Sequence, residues 1–217
     1  MWIIGTLLLT VICALIAKRS GYEYLVAIYA AMVVTANILA SKIVVFFRWT
    51  VPAAVIVYSS TFLVTDILAE FYGKEKAKKA VWAGFLANII LLLSVWIAIR
   101  WPGAQFWTHQ EAFVTVLGST WRVIAASITA YLVSQNHDVW AYCFWKRKTK
   151  GKYLWLRNNA STIISQFIDT VIFITVAFFG KFPIGTMIIG QYIAKITIAI
   201  IDTPFLYLTK IIYSKYE

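Results

Sequence analysis

A succession of long apolar segments constrains this chain more than any other feature. Seven such segments can be drawn, at residues 2–17, 22–47, 51–72, 80–101, 112–144, 157–180 and 184–209. Each reaches or approaches the ~20 residues that a helix needs to cross a bilayer, and the first is the shortest. Only 13% of the residues are charged, against roughly a quarter in a soluble domain. The pattern predicts an all-α polytopic membrane protein without a soluble domain.

The distribution of basic residues predicts the orientation in the membrane. With the N-terminus outside, the inner loops hold fourteen of the 20 Lys and Arg residues, and the outer loops hold Arg48, Arg100 and Lys181. Cytoplasmic loops of membrane proteins carry an excess of Lys and Arg. We therefore expect seven spans with the N-terminus outside and the C-terminus in the cytoplasm. The net charge of +11 then reflects topology, and no nucleic-acid partner is expected.

The first apolar segment is similar to the apolar core of a signal peptide. However, no basic residue precedes it, and Lys18 and Arg19 follow where a small-residue cleavage site belongs. We interpret residues 1–21 as an extra N-terminal helix before a six-helix core at residues 22–212, within a single transmembrane domain spanning residues 1–217. Cys13 and Cys143 lack metal-type spacing, so we expect neither a metal nor another cofactor.

A polar stripe runs along the sixth apolar segment. Its members fall at i, i+4, i+7 and i+11 on one helix face, and they are Asn158, Thr162, Ser165 and Asp169. Asn159 and Gln166 flank this face. Because a carboxylate and amides are costly to insert into lipid, we expect them to face a protein-lined cavity. The stripe predicts one wall of a binding site, with Asp169 at its deep end.

Two carboxylates one helical turn apart mark the third segment. Asp66 and Glu70 lie at i and i+4, so in a low dielectric each disfavours the charged form of the other, and one of them is a candidate proton carrier. The alternative is that Glu70 lies at the interface and pairs with Lys74. In the second and fourth segments, Asn37 and Asn88 are either interhelical hydrogen-bonding groups or site residues.

The fifth and seventh segments contribute further polar groups. Five consecutive polar residues at 134–138, which include Gln135 and Asp138, indicate either a broken helix or a helix that has emerged from the membrane. Gln191, Lys195 and Asp202 share a face of the seventh segment, and Lys195 is expected to pair across the bundle, with Asp169 among its candidates. Arg157 is expected to pair with Asp138 or to bind an anionic group.

The chemistry of these groups favours binding over catalysis. The chain lacks a His-Glu-x-x-His helix, a Gly-x-Ser-x-Gly elbow and a glycine-rich phosphate loop. Amides donate and accept hydrogen bonds, and carboxylates accept paired N–H groups. Together with abundant aromatic residues, they suit a small planar heterocycle such as a purine-type base.

Several short motifs resemble those of the VUT family of queuosine precursor transporters. They are Asn-Ile-Leu-Ala-Ser-Lys at 37–42, Thr-Asp at 65–66, Glu-Phe-Tyr-Gly at 70–73, Ser-Gln at 134–135, Asp-Val at 138–139, Arg-Asn-Asn at 157–159, Ser-Gln at 165–166 and Asp-Thr at 169–170. The resemblance covers about residues 22–205. The first segment departs from the six-helix pattern that it implies.

The resemblance implies a prokaryotic cell-membrane protein that imports a 7-deazaguanine precursor of queuosine, or of archaeosine. Candidate substrates are 7-cyano-7-deazaguanine and 7-aminomethyl-7-deazaguanine. Asp66, Gln135, Gln166 and Asp169 are then expected to contact the base, with an aromatic residue such as Phe167 or Trp140 stacking on it.

We expect Asn37, Asn159, Thr162 and Gln191 to complete the substrate site implied by the resemblance. The ion-pair or coupling candidates are Glu70, Asp138, Arg157, Lys195 and Asp202. The expected partners also include further copies of the chain, in a homo-oligomer. Two alternative functions remain open: a substrate-capture subunit of an energy-coupling-factor vitamin importer, and an intramembrane enzyme.

Overall fold

The computed structural model describes residues 2–40, 42–46, 49–118, 121–180 and 184–214. Ser41, Arg48 and Lys181 lie outside these residues. The elements, in chain order, are α1 (Trp2–Ser20), α2 (Glu23–Leu39), β1 (Ile43–Phe46), β2 (Trp49–Pro52), α3 (Val55–Phe71), α4 (Lys74–Arg100), α5 (Gln110–Leu117), α6 (Trp121–Lys148), α7 (Leu154–Phe178) and α8 (Ile184–Ser214). The described chain is therefore a helical bundle with one short β-hairpin.

Four of the described helices are long and apolar enough to cross a membrane by length and composition. These spans are Ile3–Ser20, Lys74–Arg100, Leu154–Ala177 and Ile184–Tyr213, and Glu23–Leu39 is a shorter apolar helix. The helical membrane class expected from the sequence is thus observed. Helices α3 and α6 do not meet the same criterion, because α3 has 17 residues and α6 carries a polar stretch and a basic end.

The boundaries of two predicted segments were wrong. The segment at 22–47 is not one helix, because α2 ends at Leu39 and a hairpin follows in which Ile43 pairs with Pro52 and Phe46 with Trp49. The run Ile-Val-Val-Phe in β1 is rich in β-branched residues, which favour a strand. The segment at 112–144 is divided between α5 and α6.

The polar stretch at 134–138 neither breaks the helix nor marks its exit from the bundle. Helix α6 continues through it to Lys148. Ser134, Gln135 and Asp138 are buried, whereas Asn136 and His137 are half-buried on the adjoining face. The five polar residues fit one helix because they divide between two faces. Of the two explanations that the sequence offered, the broken helix was wrong, and emergence from the membrane stays a prediction.

Helix α3 lies at the centre of the bundle. Every residue from 59 to 69 is buried, and α3 contacts α1, α2, α4, α6, α7 and α8. The polar groups of a helix that is covered all round depend on protein partners for their hydrogen bonds. The interior of this membrane protein is consequently polar along the axis of α3, at Ser59, Ser60, Thr61, Thr65 and Asp66.

The N-terminal helix is packed into the bundle. Leu7, Val11, Ala14 and Ala17 form one buried face of α1, which contacts α2, α3 and α8. Its last turn is bonded to the end of α8, because Lys18 Nζ donates to the carbonyl of Tyr213 at 2.5 Å, and the Tyr213 hydroxyl donates to the carbonyl of Ala14 at 2.8 Å.

The two ends of the bundle differ in character. The hairpin end is where α2 ends and α3 begins, beside the β1–β2 hairpin. The basic end is where α3 is followed by α4 and α6 by α7, and it carries the Lys and Arg residues at 146–152. These two names are used below for positions along the bundle axis.

Candidate functional site

A cavity of about 60 Å³ lies between five helices and strand β2, towards the hairpin end. Its polar lining is Asn37 of α2, Tyr58 of α3, Ser127 of α6, Asp169 of α7, and Gln191 and Lys195 of α8. Its apolar lining is Ala36, Ala40, Pro52, Ala54, Val55, Ala130 and Phe173. We call it the Asp169 cavity, because this carboxylate is the one acidic group among its lining residues.

Asp169 has a partner on each carboxylate oxygen. Its Oδ2 forms an ion pair with Lys195 of α8. Its Oδ1 accepts a hydrogen bond from the Tyr58 hydroxyl at 2.6 Å and another from the Ser134 hydroxyl at 3.0 Å. The Lys195 ammonium also lies 5.1 Å from the centre of the Tyr58 ring. The pairing of Lys195 with Asp169 expected from the sequence is present.

The Asp169–Lys195 pair is buried and therefore depends on its hydrogen-bond partners. Only 3% of Asp169 and 1% of Lys195 are exposed. Two charges removed from water require close mutual contact and further hydrogen bonds to remain ionised. Tyr58 and Ser134 supply those bonds and fix the carboxylate against the wall of the cavity.

The two amides that line the cavity differ in how many of their hydrogen-bonding groups have partners. Asn37 is fully engaged: its Nδ2 donates to Asn88 Oδ1 at 2.7 Å, and its Oδ1 accepts from the Ser127 hydroxyl at 3.2 Å. Gln191 is not, since its Oε1 has no hydrogen-bond donor among the described residues. Asn88 therefore acts through helix contact with Asn37, while Gln191 presents a free acceptor to the cavity.

A second polar layer lies beyond the cavity, towards the basic end. Its carboxylates are Asp66 of α3, Asp138 of α6 and Asp202 of α8, all buried, and we call it the aspartate layer. Asn158 Nδ2 donates to Asp202 Oδ1 at 3.0 Å. Thr162 Oγ1 lies 3.5 Å from Asp66 Oδ2, and Thr65 Oγ1 lies 3.5 Å from Asp138 Oδ2. The polar stripe of α7 thus spans both layers.

Gln135 and Gln166 are wholly buried but do not line the Asp169 cavity. Gln135 Nε2 donates to the Thr61 hydroxyl at 3.0 Å, and its Oε1 has no donor in the described ranges. Neither side-chain atom of Gln166 has a partner among the described residues. Asn159 lies further towards the basic end, where its Nδ2 donates to the Thr203 hydroxyl at 2.8 Å.

The basic end is closed by contacts around Glu70, which we call the Glu70 clasp. Glu70 Oε1 lies 2.5 Å from Arg157 Nη2, and Lys146 and Lys210 approach the same carboxylate at 3.1 and 3.9 Å. Arg157 also donates to the carbonyl of Gly151 at 2.6 Å. Of the two expectations for Arg157, the pair with Asp138 was wrong, whereas contact with an anionic group is observed at Glu70. The alternative pair Glu70–Lys74 was also wrong, because the α6–α7 turn brings Arg157 beside the end of α3.

The expected aromatic stacking partners lie elsewhere. Phe167 and Trp140 are 47% and 49% exposed, so both face outwards from the bundle. Phe167 packs edge-on against Tyr192, with ring centres 5.2 Å apart. Among the described residues, the aromatic side chains that line the cavity are Tyr58 and Phe173. Phe167 and Trp140 therefore do not line the Asp169 cavity.

The structure therefore sorts the residues singled out from the sequence. Around the Asp169 cavity it places Asn37, Asp169, Gln191 and Lys195; in the aspartate layer Asp66, Asp138, Thr162 and Asp202; in the Glu70 clasp Glu70 and Arg157; and apart from these Gln135, Asn159 and Gln166. The sequence did not single out Tyr58 and Ser127, because a lone hydroxyl in an apolar segment carries no distinctive spacing.

Comparison with known proteins identifies relatives of this chain. Residues 52–209 match the family model described as a putative vitamin uptake transporter. The chain is 33% identical over 213 residues to a probable queuosine precursor transporter of Bacillus subtilis (strain 168), covering 96% of this chain and 93% of the relative. It is 27% identical over 120 residues to a queuosine precursor transporter of Escherichia coli (strain K12), covering 54% of this chain and 50% of the relative. No solved structure gives a significant match. The family and these relatives are described as transporters and not as enzymes.

Proposed function

The chain belongs to the family of putative vitamin uptake transporters, and because its relatives are named queuosine precursor transporters, we propose that it imports a 7-deazaguanine precursor of queuosine across the cell membrane. The candidate substrates are 7-cyano-7-deazaguanine and 7-aminomethyl-7-deazaguanine. The observation that carries the proposal is the Asp169–Lys195 pair in the wall of the cavity. The pair offers a carboxylate acceptor and an ammonium donor side by side.

A guanine-type ring matches that order of groups. Along one edge it presents a carbonyl oxygen, a ring N–H and an exocyclic amine. A carboxylate accepts two N–H bonds at once, so Asp169 pairs with the ring N–H and the amine. The Lys195 ammonium then donates to the neighbouring carbonyl. Gln191 Oε1, which has no donor among the described residues, is available to accept a further N–H of the substrate.

The size of the cavity indicates a closed state. Pockets that hold small organic ligands enclose roughly 300 Å³ or more, whereas the Asp169 cavity encloses about 60 Å³. Binding of a bicyclic base therefore requires the helices to separate. The ion pair Asp169–Lys195 then exchanges its internal contact for contacts with the substrate, which keeps both charges satisfied.

We propose seven spans, α1, α2, α3, α4, α6, α7 and α8, with the N-terminus outside and the C-terminus inside. The proposal is supported by the concentration of Lys and Arg at one end of the bundle. In this arrangement the Asp169 cavity lies towards the outside and the Glu70 clasp closes the cytoplasmic side. Reporter fusions at residue 217 and in the loop at 101–109 test the orientation.

The experiment that tests the function is a ligand series with the purified protein. Thermal-shift measurements compare the two 7-deazaguanines with guanine and with matched rings that lack the exocyclic amine. We expect the ring without the amine to bind at least about tenfold more weakly, because one oxygen of a buried carboxylate loses its donor.

Uptake in a cell that cannot make the precursor provides the second test. We expect Asp169→Asn to abolish uptake. Glu75→Gln is the control and is expected to retain uptake, because it makes the same kind of change at an exposed residue that pairs with Lys78. Normal uptake by correctly inserted Asp169→Asn protein contradicts the assignment of the site.

A substrate-capture subunit of an energy-coupling-factor importer is the second candidate function, because the matched family is described by vitamin uptake. Such a subunit requires an ATPase partner. Uptake by the purified chain alone in liposomes excludes this candidate, and vitamin binding in the ligand series favours it.

A further inference from the structure

The buried acids of the bundle fall into two groups. Glu70 and Asp169 each contact a buried cation, Arg157 and Lys195 respectively. Asp66, Asp138 and Asp202 are at most 1% exposed, and within the described ranges no Lys, Arg or His lies within ion-pair distance of them. Three carboxyl groups of the aspartate layer are thus buried without a counter-charge.

Asp66 and Asp138 face each other across the α3–α6 contact. Asp138 Oδ2 lies 3.5 Å from the hydroxyl of Thr65, the residue that precedes Asp66 on α3, so the two carboxyl groups are neighbours. Asp66 Oδ2 likewise has the Thr162 hydroxyl at 3.5 Å, while Oδ1 of each residue has no donor in the described part of the chain. A carboxyl group that keeps its proton is a donor as well as an acceptor. One proton shared between the two residues therefore supplies a donor that their described surroundings lack.

An amide beside the third carboxyl gives an independent indication. Asn158 is wholly buried, and its Nδ2 donates to Asp202 Oδ1. The Oδ1 of the same amide has no donor among the residues described. A buried carbonyl oxygen without a donor is unfavourable, and a proton on a neighbouring carboxyl removes that deficit. The aspartate layer therefore contains more hydrogen-bond acceptors than donors among the described residues.

The groups around the pair offer no cation in place of a proton. The neighbouring groups are Tyr29 on α2, Tyr142 and Cys143 on α6, Thr162 and Ser165 on α7, and Asp202 on α8. The buried cations Arg157 and Lys195 contact Glu70 and Asp169 instead. No cluster of His, Cys, Asp or Glu in the described ranges is arranged to hold a metal ion. His137 adjoins Asp138 in the sequence, and its half-buried imidazole places Nδ1 2.9 Å from the Ser165 hydroxyl.

We propose that Asp66 and Asp138 form a proton-binding site that shares one proton in this closed conformation and releases it during the transport cycle. This inference rests on the proposed import function, and it makes uptake a proton-linked process. Release breaks one carboxyl O–H bond, transfers H⁺ to water, and leaves two carboxylates; re-binding from the other side of the membrane restores the shared proton. Two facing carboxylates without a counter-charge favour the closed bundle only while that proton is present.

Infrared spectroscopy tests the site without substrate. The purified wild-type protein shows the carbonyl stretch of a protonated carboxyl group, and Asp66→Asn/Asp138→Asn protein shows a weaker one. Glu75→Gln is the matched control and leaves the band unchanged. A band of equal strength in the double variant, in protein that remains monodisperse, overturns the proposal.

Transport into liposomes tests the coupling. With a gradient of one pH unit, acid outside, we expect the wild-type protein to accumulate substrate up to about tenfold, the limit for one proton per substrate. The single variant Asp138→Asn still exchanges labelled for unlabelled substrate but does not respond to the gradient. A wild-type protein that exchanges substrate and ignores the gradient overturns the coupling and leaves the proposed function intact. A wild-type protein that neither binds nor exchanges substrate refutes the proposed function, and the infrared band then decides whether the pair holds a proton.

Discussion

Asp169 of α7 and Lys195 of α8 form an ion pair that lines the cavity, and 3% and 1% of these two residues are exposed. The pair joins two helices and at the same time presents its two charges to a space where a ligand can enter. Because neither charge reaches bulk water, each depends on the other whenever the cavity is empty. A substrate that replaces the internal contact must therefore offer both donors and an acceptor.

A double-mutant cycle on this pair separates its structural role from its binding role. Lys195→Met leaves a buried carboxylate without its cation, and we expect a loss of about 3–5 kcal/mol of stability. Lys195→Met combined with Asp169→Asn removes both charges and restores most of that stability, but not uptake. Thermal denaturation in detergent and uptake in cells measure the two effects. Equal stability of the single and double variants contradicts the prediction.

The Tyr58 hydroxyl is predicted to orient Asp169. Its bond to Asp169 Oδ1 is 2.6 Å long, and Tyr58→Phe removes that bond while keeping the ring. A hydrogen bond to a charged group contributes about 1.5–3 kcal/mol, so we expect substrate binding to weaken about tenfold or more. Tyr192→Phe, at a hydroxyl 3.4 Å from the Ile163 carbonyl, is the control. Isothermal titration calorimetry measures the substrate affinity of both variants. Equal affinities contradict the role given to Tyr58.

The stability contributed by the Glu70 clasp is predicted to depend strongly on Arg157 and only weakly on Lys210. Arg157 is wholly buried and lies 2.5 Å from Glu70, so Arg157→Met is expected to lower stability by about 3–5 kcal/mol. Lys210 is 44% exposed and 3.9 Å from the same carboxylate, so Lys210→Met costs at most about 1 kcal/mol. Thermal denaturation of both variants measures the difference. Similar losses mean that the clasp is not organised by Arg157.

Gly84 of α4 is predicted to be required for helix packing. A Cβ at this position collides with the Tyr131 hydroxyl and lies 2.8 Å from Cε1 of Tyr29. The Tyr131 hydroxyl donates to the Val81 carbonyl at 2.6 Å and cannot move without losing that bond. We expect Gly84→Ala to cost about 1–3 kcal/mol. Gly5→Ala on α1, where a Cβ meets nothing within 4 Å, is the control and is expected to be neutral or slightly stabilising. Size-exclusion profiles after heating compare the two.

Much of the candidate site was accessible to sequence reasoning because polar groups are rare in apolar segments. Asp169, Lys195, Gln191 and Asn37 stood out on that ground, and the cavity brings them together. Gln135 and Gln166 stood out equally, yet they lie outside the cavity lining. Helical spacing gives the face on which a residue lies, but the rotation of that helix against its neighbours decides what the face meets.

The sequence by itself determined the membrane class and most of the helical segments, because these follow from local composition and from the energy of placing charge in lipid. Only the tertiary structure decided the pairing: Glu70 with Arg157, Thr65 with Asp138, and Tyr58 with Asp169. These contacts join residues between 73 and 111 positions apart, and their identity depends on which helices adjoin α3. The placement of α3 at the centre of the bundle therefore decides which buried carboxylates meet a cation and which meet each other.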